Sequence, residues 1–198
     1  MRLSVRIARY HSSDEHTDLE ASMDREQRER ILCAIRFQEC DDGTKASSEA
    51  ASTIMDGGYV EPVLRRVGKL ANGWVSYFYT PDSFEKSWHT VLDSVKSSGM
   101  ALDTFGNCDM VPVRIDRSEV EARRVANDFI AKYCDLPAWS EATQNSAIIG
   151  TVKDCANTIE RFSKAGVQEL VVMPSVAQLN ELDEQIIRFG KELLPSFQ

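Results

Sequence analysis

Histidine is scarce in this 198-residue chain: His11, His16 and His89 are its only three, and no two of them stand four residues apart. A helical zinc pair of the H-E-x-x-H type needs two imidazoles on one helix face, so none can be written and no metal site is expected. The five cysteines, Cys33, Cys40, Cys108, Cys134 and Cys155, are odd in number and form no C-x-x-C pair. Met1 to Tyr10 alternates instead of forming an apolar leader core. Reduced thiols and a cytoplasmic location are the expectation. No apolar run approaches the roughly 18 residues of a membrane span. Positive charge is in deficit, with 23 Lys and Arg against 31 Asp and Glu and a net charge of -8. Such a chain repels phosphate backbones and anionic lipid, so neither nucleic acid nor a membrane is expected as a partner. What is present, 42% hydrophobic and 27% charged residues, is the composition of a globular domain, and the length suffices for one real core with an appendage.

The chain divides near residue 54. In residues 1–54, Leu3, Val5 and Ile7 alternate with Arg2, Ser4 and Arg6 as in a half-buried strand. Asp14 to Glu39 is a polar stretch that predicts a solvated helix, because both signs of charge intermix from Asp24 to Arg30 before Ile31, Leu32, Ile35 and Phe37. Asp41 to Ser52, small and polar, predicts a linker.

Residues 55–198 carry a different texture, in which short apolar runs alternate with segments whose apolar residues recur every three or four positions. Ser52 to Met55 predicts a strand, followed by Asp56-Gly57-Gly58 and a helix with Val60, Val63, Leu64, Val67 and Leu70 inward, ended by Asn72 and a left-handed Gly73. Trp74 to Tyr79 predicts the next strand, with Thr80 capping and Pro81 opening a helix that buries Phe84, Trp88, Val91, Leu92 and Val95 and ends at Gly99. A strand from Cys108 to Ile115 leads to the capping box Ser118-x-x-Glu121 and a helix with Val125, Phe129, Ile130 and Tyr133 inward. Pro137 marks a loop over 135–147. Ala147 to Ile149 is a further strand. Thr151 caps a helix through Ala156, Ile159 and Phe162 that closes at Gly166 before the strand Val167 to Met173. Ser175-x-x-Gln178 reads as a second capping box for a last helix with Leu179, Leu182, Ile186, Phe189 and Leu193 along one stripe. Strands joined by helices in this manner are parallel. The fold class is therefore α/β, as part of a TIM-type (β/α) barrel or as an open doubly wound sheet. Either way ligands belong at the carboxyl ends of the strands.

Two segments carry a family resemblance. The run from Gly57-Gly58-Tyr59-Val60-Glu61-Pro62 to Leu70-Ala71-Asn72-Gly73-Trp74-Val75 resembles the segment of bacterial-luciferase-like flavin- or deazaflavin-dependent oxidoreductases that turns at paired glycines and returns as a "DGW" strand, with Asn72 in place of Asp. Ile149-Gly150-Thr151 to Cys155-Ala156, continuing to Ala165-Gly166-Val167-Gln168-Glu169-Leu170, is similar to that family's "GT-x-x-x-x-A … AGV-x-x-L" signature. The match covers residues 56–198, corresponding to the C-terminal half of a typical member. It implies a partial TIM barrel and the reduced cofactor FMN or the deazaflavin coenzyme, used in monooxygenation or hydride transfer on a small-molecule substrate. No catalytic residue is carried over, since much of the family's reactive face lies in the other half. A half barrel also leaves strand edges unpaired, so a homodimer or a partner subunit is expected.

The cofactor-binding candidates are Gly57, Gly58, Tyr59, Trp74 and Thr151. Paired glycines before a helix let backbone N–H groups approach a phosphate at a favourable dipole, or they form a tight turn and nothing more. Tyr59 could add its hydroxyl there or pack. Trp74 fits either an isoalloxazine pocket or the barrel core. Thr151 is a phosphate candidate with a complete alternative as a helix cap. Cys108 and Cys155 lie on apolar elements and are expected to be inert. A non-catalytic half barrel that assembles as a subunit is the alternative function.

Overall fold

The computed structural model describes residues 2–7, 33–38, 55–134 and 137–197. The elements, in order, are β1 (Arg2–Ile7), β2 (Cys33–Gln38), β3 (Met55–Gly57), α1 (Glu61–Leu70), β4 (Gly73–Tyr77), α2 (Pro81–Ser98), β5 (Gly106–Ile115), α3 (Glu119–Tyr133), α4 (Pro137–Ser146), β6 (Ile148–Gly150), α5 (Val152–Lys164), β7 (Glu169–Pro174) and α6 (Leu182–Arg188). The strands form one sheet in the order β1-β2-β7-β5-β4-β3, with β6 joined to the end of β5. From β7 to β3 every pairing is parallel, as crossover helices require, while β1 and β2 add an antiparallel ribbon to β7. The described sheet is open, with β1 and β3 at its edges.

The strand β5 organises this sheet. It is 10 residues long where β3 and β6 have three each. Gly106 to Met110 pair with β4 on one side, Cys108 to Val113 pair with β7 on the other, and Val113 to Ile115 pair with β6 where β4 has ended. The register places Trp74 beside Asn107 and Ser76 beside Asp109, so these side chains share a face. Trp74 is fully buried there, stacked on Phe84 and Trp88 of α2. That face also carries Val111, Val113 and Ile115, which join Val91, Val95, Ile159 and Phe162 in the core between sheet and helices. On the other face Val75, Tyr77, Met110 and Val171 are only partly covered.

Most helix ends follow the sequence signals. Thr80 accepts from the Ser83 N–H and Ser83 returns the bond, with Pro81 in the first turn, and Gly99 closes α2 in the left-handed conformation at φ 75°. Thr151 and Asp154 form the corresponding box on α5.

Several expectations are corrected. Cys33–Gln38, expected to end a polar helix, is a strand: Cys33, Ile35 and Phe37 alternate with Ala34, Arg36 and Gln38, and two partners supply its ladder. The rest of that expected helix, the linker, and residues 52–54 lie outside the described residues. Gly73 is not a cap, since α1 ends at an extended Ala71 and Gly73 already pairs with Gly106. The expected loop after Pro137 is α4, because proline fits a first turn where no N–H is needed; the Thr143 and Ser146 hydroxyls bond back to carbonyls at 2.6 and 3.0 Å. Ser118 makes only half of its box, as the Glu121 carboxylate turns to Arg124 at 2.6 Å. The inward face of α3 is Ala122, Val125, Ala126 and Ile130, while Tyr133 is exposed. Ser175-x-x-Gln178 is no box either: α6 starts at Leu182 behind Glu181, whose carboxylate is committed to Arg114.

The helices α1 and α2 cross at Gly68. A Cβ there would stand 2.7 Å from the Val91 carbonyl oxygen and 2.8 Å from the Val95 nitrogen, so backbone atoms, which cannot rotate away, would have to move. Ser94 and Ser98 seal the crossing by donating to the Arg65 and Gly68 carbonyls at 2.6 and 3.1 Å. Gly68→Ala is expected to destabilise the fold by about 2 kcal/mol, read as a lower urea midpoint, despite alanine's better helix propensity.

Candidate functional site

The carboxyl ends of β3, β4 and β5 bring together residues far apart in the chain. The strand β3 ends at Gly57, whose added Cβ would meet the Val75 carbonyl oxygen at 3.0 Å. Gly58 has φ 155°, and a Cβ would fall 2.3 Å from a Val63 methyl, so the turn is built for glycine by its own packing. The next helix, α1, is capped differently from α2 and α5: Val60, its N-cap, offers no side-chain hydrogen bond to the first turn. The same edge carries the turn from β4 into α2, where Phe78 holds φ 62°, an uncommon value for a residue with a Cβ, while its N–H donates to the Met110 carbonyl at 2.9 Å.

Aromatic rings fill the space between these two turns. Tyr59 stacks on Tyr79 at 5.2 Å between centroids and meets Tyr77 and Trp139 edge-on at 5.1 and 5.2 Å. Its hydroxyl donates to the Tyr77 carbonyl at 2.5 Å, and that of Tyr79 to the Gly58 carbonyl at 3.4 Å. Burial raises the Tyr59 phenol far above its ordinary range, with Tyr77, Tyr79 and Asp109 adding to the effect, so the group stays neutral. Trp139, on α4, is 38% exposed and forms the outer wall.

Beneath the rings lies Asp109, fully buried. The Ser76 hydroxyl is 2.7 Å from its Oδ1, while Oδ2 has no hydrogen-bond partner among the described residues. Burial pushes the carboxyl up to about 8, against the Ser76 hydroxyl and the Met110 and Tyr79 N–H groups, which favour the ionised form.

A second polar cluster sits at the ends of β5 and β7. Arg114 binds Glu181 at 2.7 Å and Asp116 at 3.0 Å and donates to the Ser175 carbonyl, and Gln185 brackets Ile115 by accepting from its N–H and donating to its carbonyl, each at 3.0 Å. These bonds fasten the C-terminal segment across the sheet. Burial works against ionised Asp116, but the Arg117 N–H and Arg114 outweigh it and hold the carboxyl below its usual range.

Of the five residues singled out in the sequence, Gly57, Gly58 and Tyr59 stand at this edge together. Trp74 is in the core, with none of its ring exposed. Thr151 follows β6, and its hydroxyl is engaged by Asp154, donating to the carboxylate at 2.6 Å and accepting from the N–H at 3.4 Å. The Cys108 and Cys155 thiols are each pushed up to about 12, first by burial, with carboxylates nearby adding, which leaves them protonated. His89 is exposed on α2, and His11 and His16 lie outside the described residues. Tyr77, Tyr79, Asp109 and Trp139 escaped the sequence reading. Only Tyr77-Phe78-Tyr79 signalled anything, as an aromatic run ahead of a helix cap. Among the described residues, no group of three or more His, Cys, Asp or Glu could hold a metal ion, and no helix is long and apolar enough to cross a membrane.

The sequence matches no protein-family model and no curated protein. Solved structures do share the fold. An F420-dependent secondary alcohol dehydrogenase in complex with an F420–acetone adduct superposes with a TM-score of 0.62 at 12% identity, over 76% of this chain and 50% of that one. The coenzyme F420-dependent tetrahydromethanopterin reductase of Methanopyrus kandleri gives 0.55 at 19% identity, over 74% and 51%. The oxygenating constituent of 3,6-diketocamphane monooxygenase of Pseudomonas putida, in complex with FMN, gives 0.52 at 14%, over 73% and 48%. The chain spans about half the length of each. Its fold is thus that of the luciferase-like enzymes, as an open part of their barrel.

Arg114→Met is expected to leave Glu181 and Asp116 without their cation in a largely buried setting. The loss should be about 3 kcal/mol in urea unfolding at neutral pH, well beyond the 0–1 kcal/mol of an exposed pair such as Arg65–Glu61.

Proposed function

We propose that this chain is a luciferase-like oxidoreductase domain that takes reduced FMN or the deazaflavin coenzyme F420 at the carboxyl edge of its sheet. The observation that carries the reading is the joining, at that edge, of the Gly57-Gly58 turn with the rings of Tyr59, Tyr77 and Trp139, in a fold whose solved relatives include F420- and FMN-bound enzymes. The residues fit such a group. The Gly58 turn has no side chain to block an approach to the backbone, and no side chain caps the first turn of α1, whose positive dipole end lies beside it. Tyr77 and Trp139 stack on each other, 23° from parallel, and the exposed part of Trp139 offers apolar ring surface at the rim of the site.

The cofactor, when bound, supplies the redox chemistry, as a hydride or as electrons for activating oxygen. The chain's own share is to bind the phosphate at Gly57-Gly58, orient the ring against the tyrosines and exclude water through Trp139. Tyr59 and Tyr79 remain neutral and donate hydrogen bonds that fix the turn. Trp74 and Thr151 support the site from outside, the first by filling the core under β4 and the second by fixing the start of α5.

Because the chain spans half of a typical barrel, we infer that a second copy or a partner subunit covers the open sheet. A half barrel serving only as such a subunit is the alternative, favoured by that coverage. Titrating the protein into FMN and, separately, F420, with cofactor fluorescence and sedimentation followed together, tests both. Saturable binding at micromolar concentration to a defined oligomer is expected, and Trp139→Ala should weaken it about tenfold through lost ring contact. A folded oligomer that binds neither compound would leave the subunit reading.

A further inference from the structure

Trp139 closes the aromatic edge, and its packing decides how a ring can enter. It stacks on Tyr77 with centroids 6.3 Å apart and meets Tyr59 edge-on at 5.2 Å. A planar ring held between two others makes a contact of roughly 3.5 Å on each face, so the planes of its neighbours stand about 7 Å apart. The planes of Tyr77 and Trp139 can be no farther apart than their centroids, which falls short of that spacing. The protein thus covers, with its own side chain, the Tyr77 face on which a planar ligand would stack.

The helix that carries Trp139 is fastened at one end. Pro137, Ala138 and Trp139, the opening residues of α4, are exposed, while its two buried residues, Thr143 and Ser146, lie in its second half. Just beyond Ser146 the chain enters β6, where Ile148 pairs with Val113 of β5 and fixes that end. The polar side chains of α4 bond mostly within the helix: Thr143 donates to the Trp139 carbonyl, Ser146 to the Thr143 carbonyl, and Gln144 to the Ser140 hydroxyl. The contact that Thr143 makes outside it is weak, 3.5 Å to the Cys134 sulfur. Among the described residues, no side chain of the first turn forms a hydrogen bond or ion pair with another element, so ring contacts alone hold Trp139 down. A segment with little apolar burial and no polar tie opens at low cost.

We infer that the first turn of α4 is a lid hinged at Thr143–Ser146: in the free protein Trp139 occupies the stacking place on Tyr77, it lifts to admit a planar aromatic ring, and it returns onto the outer face of that ring. The inference rests on the cofactor reading above for its ligand, but the opening is a property of the free protein. It gives Trp139 two roles with opposite kinetic effects. As a gate the indole slows entry, and as a cover it slows release.

The chain's three tryptophans make the test direct, because Trp74 has no exposed surface and Trp88 only 9%. Labelling with 5-fluorotryptophan gives one fluorine resonance for each, with the two core rings as internal standards and Trp139→Phe assigning the third. In the free protein the Trp139 resonance should show relaxation dispersion from microsecond-to-millisecond exchange, and those of Trp74 and Trp88 should not. Adding FMN or F420 should shift it and suppress the exchange. In stopped-flow mixing, the observed association rate of wild type should level off at high cofactor concentration, at the rate of opening. Trp139→Ala should instead rise linearly and release the cofactor more than tenfold faster. A Trp139 resonance as free of dispersion as the two core rings, or a wild-type rate that rises without a ceiling, would overturn the lid. Absence of binding by either cofactor, with dispersion present and confined to Trp139, would overturn the cofactor reading and uphold the lid.

Discussion

Every parallel strand but β3 hydrogen-bonds to β5, and β3 is reached through β4. That dependence sets what the rest of the chain can be. A strand paired along both edges must be apolar on both faces or satisfy its polar side chains internally. β5 does both: Val111, Val113 and Ile115 enter the core, while Asn107, Asp109 and Arg114 are buried polar groups with partners on other elements. Asn107 joins the start of β5 to the α5–β7 turn by donating to the Gly166 carbonyl at 2.9 Å and accepting from the Gln168 N–H at 2.8 Å. Arg114 joins its far end to the C-terminal segment. Asp109 joins its middle to β4. One strand thus carries three polar fasteners, at three levels, each to a different neighbour.

The sequence was most legible where a local signal and a tertiary demand coincide. Thr80-Pro81 and Gly99 bound α2, and Thr151 with Asp154 starts α5, because caps satisfy their own helix irrespective of the remaining fold. Signals failed where a distant partner claimed the same atoms. Glu181 reads as nothing special in the sequence, yet Arg114, 67 positions earlier, takes its carboxylate and leaves α6 without a side-chain cap. Cys33–Gln38 failed for a related reason: a six-residue apolar alternation beside a charged helical pattern is decided by whether a ladder is on offer, and β7 offers one.

The candidate site shows the same division. Gly57-Gly58 was visible as a chain feature because paired glycines stand out in any sequence, but their structural need comes from the Val75 carbonyl and the Val63 methyl. The tyrosines and Trp139 were not visible, since four rings from three separate segments converge only once β3, β4 and α4 share an edge. An aspartate in an apolar run is a weak signal by itself. It acquires meaning from Ser76, which stands opposite only because of the β4–β5 register. A shift of one residue in that register would turn the pair to opposite faces and leave the carboxyl buried alone.

The antiparallel ribbon limits how the described sheet can be extended. In a closed barrel of parallel strands, β7 would pair onward with another parallel strand, but here β2 occupies that edge and β1 follows it. Among the described strands, an unpaired edge is left at β3, at β1 and at the three-residue β6. The first of these is three residues long and ends at the paired glycines. A strand docking beside β3 would lie next to Gly58 and the tyrosine rings, so covering that edge and completing the proposed ligand site would be a single event. Pairing at β1 would close the sheet on the far side of β7, away from the rings. The position of the aromatic wall thus makes the short edge, rather than the long antiparallel one, the place where assembly and ligand binding would be coupled.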